Sequence, residues 1–108
     1  MWSLSWDDSI DGKITGDSRR TLLQLSFDGN KVNGTFVGLV MGEARQDRFG
    51  GELLGGDHGH VLVLRQTEEE YVACYQAMLG HDGAFIGVWH DSVGRSGDFR
   101  LERRKRPA

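Results

Sequence analysis

A chain of 108 residues is near the commonest domain size and has room for one hydrophobic core. No apolar run approaches the ~18 residues that a membrane-spanning helix needs, and the opening MWSLSWDDSI has neither the basic region nor the apolar core of a signal peptide. Residues 1–99 hold eight basic and fifteen acidic side chains, a balance that argues against a nucleic-acid-binding face.

Along the chain the hydrophobic period is 2, the signature of strands. Trp2, Leu4 and Trp6 alternate with Ser3 and Ser5. Leu23, Leu25 and Phe27 share a face, and DGN (28–30) follows as a hairpin turn. The next strand runs from Lys31 to about Val40, and another occupies 45–54. GGDHG (55–59) turns into HVLVLRQ (60–66), TEEE turns into YVACYQAM (71–78), and GHDG (80–83) turns into AFIGVWH (84–90). Finally GRSG (94–97) turns into DFRLER. A helix over EEEYVACYQAML is the one rival reading. The expectation is all-β, with about eight antiparallel strands in an up-and-down meander. Residues 1–102 form the single domain, and the basic stretch 103–108 is a solvated tail.

FVGLV (36–40), FGGEL (49–53) and FIGVW (85–89) repeat the pattern Phe, any residue, Gly, any residue, large apolar. First, third and fifth side chains of a strand point the same way, so each copy sets an aromatic, bare backbone and a hydrophobe on one face. Glycine there lets a strand coil sharply, which favours closure into a barrel over a two-sheet sandwich. Charged residues mark the other face as solvated: Arg48 and Glu52 back Phe49, and Asp98, Arg100 and Glu102 back Phe99 and Leu101.

Three strands, 60–66, 71–78 and 84–90, are apolar on both faces. The reading in line with the repeat puts Val61, Val63, Tyr71, Tyr75, Phe85 and Trp89 inside. Leu62, Leu64, Val72, Ile86 and Val88 are then left outside, with Cys74 and Met78, as a homodimer interface. Cover by the N-terminal segment or by another domain is the alternative.

NGTFVG (33–38), DRFGGEL (47–53) and GAFIGVW (83–89) resemble the glycine-aromatic strands of calycins, the meander barrels that include avidins, lipocalins and fatty-acid-binding proteins. The resemblance implies the barrel. The Gly-x-Trp of a lipocalin first strand has no counterpart at Trp2 or Trp6, and no biotin-contacting set can be matched, so no ligand is implied.

Chemistry-bearing residues are sparse. His58 and His60 alternate beside a glycine turn and make no zinc pattern with one cysteine, so neither metal nor cofactor is expected. His90, Asp91 and Ser92 are adjacent, and neighbours on a strand point to opposite faces, so they form no triad by themselves. Cys74 beside Val72 reads as packing, and as the only cysteine it excludes an internal disulfide and suits a cytoplasmic setting. Arg65 shares the face of Val61 and Val63. With Tyr71, Tyr75 and Trp89 it forms the expected ligand site, for an apolar or aromatic molecule with an anionic group. The leading expectation is a non-enzymatic small-molecule-binding homodimer. A protein-interaction or inhibitor module with a filled barrel, and a small barrel enzyme, are the alternatives.

Overall fold

The computed structural model describes residues 1–7, 9–10, 13–14, 19–37, 39–40, 43–44, 46–56 and 59–104. In chain order the strands are β1 (Trp2–Trp6), β2 (Ser9–Ile10), β3 (Lys13–Ile14), β4 (Arg19–Asp28), β5 (Lys31–Val37) and β6 (Leu39–Val40). They continue with β7 (Glu43–Ala44), β8 (Arg48–Gly56), β9 (Gly59–Glu68), β10 (Tyr71–Leu79), β11 (Phe85–Asp91) and β12 (Ser96–Arg103). Among the described residues there is no helix; the rival segment over 68–79 is the β9–β10 hairpin. The basic stretch beyond Arg104 lies outside the described residues, as do Gly38 and His58.

Eight long strands form the ring β1-β4-β5-β8-β9-β10-β11-β12, every neighbour antiparallel. β1 pairs with β12, from Trp2 opposite Arg103 to Trp6 opposite Phe99, and closes the ring. This is the up-and-down barrel that the alternation and the kink glycines imply. Closure leaves no long strand with an unpaired edge, the hazard that flat sheets carry. The short pairs β2–β3 and β6–β7 lie within the connections β1–β4 and β5–β8.

Tight turns set the register. Gly29, at φ 59°, sits in the two-residue loop that pairs Asp28 with Lys31, a conformation that costs glycine little. Glu69 adopts φ 48° in the equivalent loop between β9 and β10 and pairs Glu68 with Tyr71. A two-residue loop puts odd-numbered residues of β10 on the same face as even-numbered residues of β9, so Leu64 opposes Tyr75 and Leu62 opposes Ala77.

The lumen holds the core: Leu4, Leu23, Val32, Phe49, Leu62, Leu64, Tyr75, Phe85, Trp89, Phe99 and Leu101 are buried. Trp2 lies 5.6 Å from Phe27 and 6.2 Å from Phe85, toward the end that carries the β4–β5 and β10–β11 turns. The two long connections, through residues 7–18 and 38–47, leave from the other end.

Candidate functional site

The barrel wall fixes which side chains meet inside, and it divides the expected site. Tyr75 and Trp89 are buried in the lumen, opposite one another on β10 and β11. Tyr71 is half-buried at the rim. Arg65 is exposed on the outer face, between Gly50 and Cys74 in the cross-strand register, so it does not join them. The expected interface divides for the same reason. Leu62 and Leu64 are lumen residues, 0% and 2% exposed, while Val72, Ile86 and Val88 face outward. Both corrections come from one fact: β9 presents its even-numbered residues inward, and Val61 and Val63 are on the outside with Arg65.

With β9 turned this way, Gln66 enters the lumen and forms a polar chain that the sequence reading did not contain. The Tyr75 hydroxyl donates to Gln66 Oε1 at 2.5 Å, and Gln66 Nε2 donates to Asp47 Oδ2 at 2.5 Å. Asp47 immediately precedes β8 and is fully buried. Aromatic rings surround the chain. Phe49 packs 6.1 Å from Tyr75, Phe99 meets Tyr75 edge-on at 5.1 Å, and Phe36 meets Phe49 edge-on at 5.0 Å. Thr21 adds a buried hydroxyl for which the described residues provide no hydrogen-bond partner. A signal for Gln66 was present in the sequence: Arg65 marks a solvated face, as charges do on the other strands. Asp47, in a connection with no periodicity, left no such signal.

Trp89 is held by its indole N–H, which donates to the Asp7 carbonyl at 3.1 Å. Asp7 N–H in turn donates to the Asp98 carbonyl at 3.0 Å. The start of the long β1–β4 connection is thereby fastened over the lumen wall.

At the rim, Tyr71 donates to Asp91 Oδ2 at 2.9 Å, and Arg95 Nε donates to the same oxygen at 2.9 Å. Asp91 Oδ1 accepts from the backbone N–H groups of Val93 and Arg95, so one carboxylate organises the β11–β12 turn. Burial works against its charge, but the Arg95 backbone, the Tyr71 hydroxyl and the Arg95 guanidinium outweigh burial and hold it below the usual carboxylate range. Burial, and then the hydrogen bond to Asp91, push the Tyr71 phenol up to about 12. A phenol whose folded pKa is raised stabilises fully below its ordinary value of 10, and this contribution is lost as pH rises through 12. Asp91 behaves oppositely: its contribution is present above the usual carboxylate range and is lost as pH falls through its lowered pKa. In a Tyr75→Phe protein, whose one remaining tyrosine is Tyr71, phenolate absorbance should therefore appear with a midpoint of about 12. Adding Asp91→Asn should move that midpoint down; a midpoint near 10 before that change would show that the rim contact does not form in solution.

Among the described residues no three His, Cys, Asp or Glu side chains converge as metal ligands do. His60 and His90 are both exposed. Comparison with protein-family models, with curated proteins and with solved structures gave no match in any of the three.

Proposed function

We propose that this is a calycin-like barrel that binds a small molecule at the loop-bearing end of its lumen, as a carrier or sensor rather than a catalyst. The observation that carries the reading is the buried Asp47–Gln66–Tyr75 chain inside an otherwise apolar, aromatic-walled interior. A polar network in a core is seldom the most stable filling, since well-packed hydrophobic residues of similar volume often do as well or better. A few placed polar groups on apolar walls are also what a small-molecule pocket uses to orient its ligand. The Thr21 hydroxyl supports the reading, because a buried hydroxyl without a partner among the described residues leaves about 1–3 kcal/mol for a ligand or water to recover.

The chain also supports a reading of the ligand's chemistry. The Tyr75 hydroxyl donates to Gln66 and the Gln66 carboxamide donates to Asp47, so hydroxyl, carboxamide and carboxylate stand in a row between aromatic rings. They suit a flat, ring-bearing molecule with an N–H or O–H edge. With Arg65 outside, the anionic group expected from the sequence has lost its proposed anchor, and it forms no part of the proposal.

N-Phenyl-1-naphthylamine, a neutral aryl amine with one N–H, is a suitable fluorescent probe. We expect saturable binding of one probe per barrel, with energy transfer from tryptophan. Gln66→Leu and Tyr75→Phe should each weaken it by roughly 3–10-fold, the worth of a hydrogen bond of about 1 kcal/mol. No saturable binding, or binding indifferent to both variants, would reject the lumen site.

A further inference from the structure

On the outer face, β9, β10 and β11 carry an apolar surface whose layout is symmetric about β10. Met78 stands in its middle, 65% exposed, with Val61 opposite it on β9 and Ile86 opposite it on β11. One step along the strands, Gln76 is flanked in the same way by Val63 and Val88. Ile86 and Val88 are 51% and 54% exposed. Strands with one solvated face normally carry polar residues there, as β12 does with Asp98, Arg100 and Glu102.

We infer that two copies of this chain pair through this face, with β10 along the two-fold axis. That axis sets Met78 against its own copy, Val61 against Ile86 of the second chain, and Val63 against Val88. Gln76 meets Gln76, and a carboxamide, being both donor and acceptor, satisfies its own copy. No like charges face each other in this central strip. Glu52 and Asp98, two strands out from β10 on either side, fall where two convex barrels curve apart.

The area fits a modest association. The strip is a few side chains wide, with Met78, Ile86 and Val88 more than half exposed, which places it at the small end of specific interfaces, about 1,000 Å². Gln76 and Cys74 continue the strip along β10, and the dimer should form reversibly with concentration. The inference is independent of the lumen site, since none of these side chains points inward.

Cross-linking tests the axis directly. Cys74→Ser/Met78→Cys should form a disulfide-linked dimer under mild oxidation, because only a residue near a two-fold axis reaches its own copy. Cys74→Ser/Thr35→Cys, with an equally outward cysteine on β5, should stay largely monomeric. Light scattering of the wild type should rise toward twice the monomer mass with concentration. Ile86→Lys should remain monomeric at concentrations at least 10-fold higher, with an unchanged circular dichroism spectrum. A wild type that stays monomeric at millimolar concentration would overturn the inference. So would cross-linking at 78 no faster than at 35, or a dimer indifferent to Ile86→Lys.

Discussion

Replacing Gly87 by valine should prevent the barrel from forming. A Cβ at this position would lie 1.8 Å from the Gln76 carbonyl oxygen and 2.6 Å from Ala77 Cα. Both atoms belong to the backbone of β10, which pairs with β11 along its length, so neither can move without breaking the ladder. The strand coils here, and its neighbour passes over the bare glycine. The same approach occurs at Gly51, where a Cβ would meet the Val63 carbonyl oxygen at 1.8 Å. Relieving such a contact means parting two strands, a loss comparable to the whole ~5–15 kcal/mol stability of a domain. Gly50, one residue from Gly51, gives the control, since its nearest contact would be Asn33 Oδ1 at 4.0 Å. Gly50→Ala should change stability by less than about 1 kcal/mol. Soluble yield, circular dichroism and urea melts read both; a native-like melt for Gly87→Val would show that this close approach is not real.

The other large effect comes from a pair of neighbours on β9. Leu62→Lys should destabilise by about 3–5 kcal/mol, because it strands an unpaired charge in the lumen. For a domain of this size that lowers the melting temperature by roughly 15–30 °C. Val61→Lys, on the outer face where Val61 is 36% exposed, should stay within about 1 kcal/mol of the wild type when both are measured as monomers in dilute solution. The reverse ranking would mean that β9 is turned the other way, and would restore Arg65 to the lumen.

That strand shows where sequence reasoning succeeded and where it failed. The phenylalanines of the repeat point inward with its glycines: Phe49 and Phe85 are buried, and Phe36 packs half-buried against the core. β9 offers hydrophobes on both faces, so composition does not decide its direction. The loop length does, since the two-residue turn at Glu69–Glu70 commits Leu64 to the face of Tyr75. Valine on the exposed side also has a physical reason, as β-branched residues suit a strand even where they bury little. Ile86 and Val88 were legible as outward-facing, because Phe85 and Trp89 hold the opposite parity. The polar chain was not legible, because Asp47 is buried by the fold around it and not by any pattern in its own segment.

The seam between β1 and β12 has a consequence in time. It joins Trp2 to Arg103, nearly the full described length apart, and Arg104 N–H donates to the Met1 carbonyl at 2.9 Å just beyond it. Hairpins such as β9–β10 can assemble from near neighbours, but this seam cannot, and bringing distant segments together is what slows barrels relative to locally wired folds. During synthesis β1 leaves the ribosome first among the ring strands and waits for the last before one of its edges is covered. Over that interval Trp2, Leu4 and Trp6 have only half of their eventual shelter. The sealed ring that denies the finished protein an exposed edge is therefore the step at which the nascent chain is most open to the wrong partner.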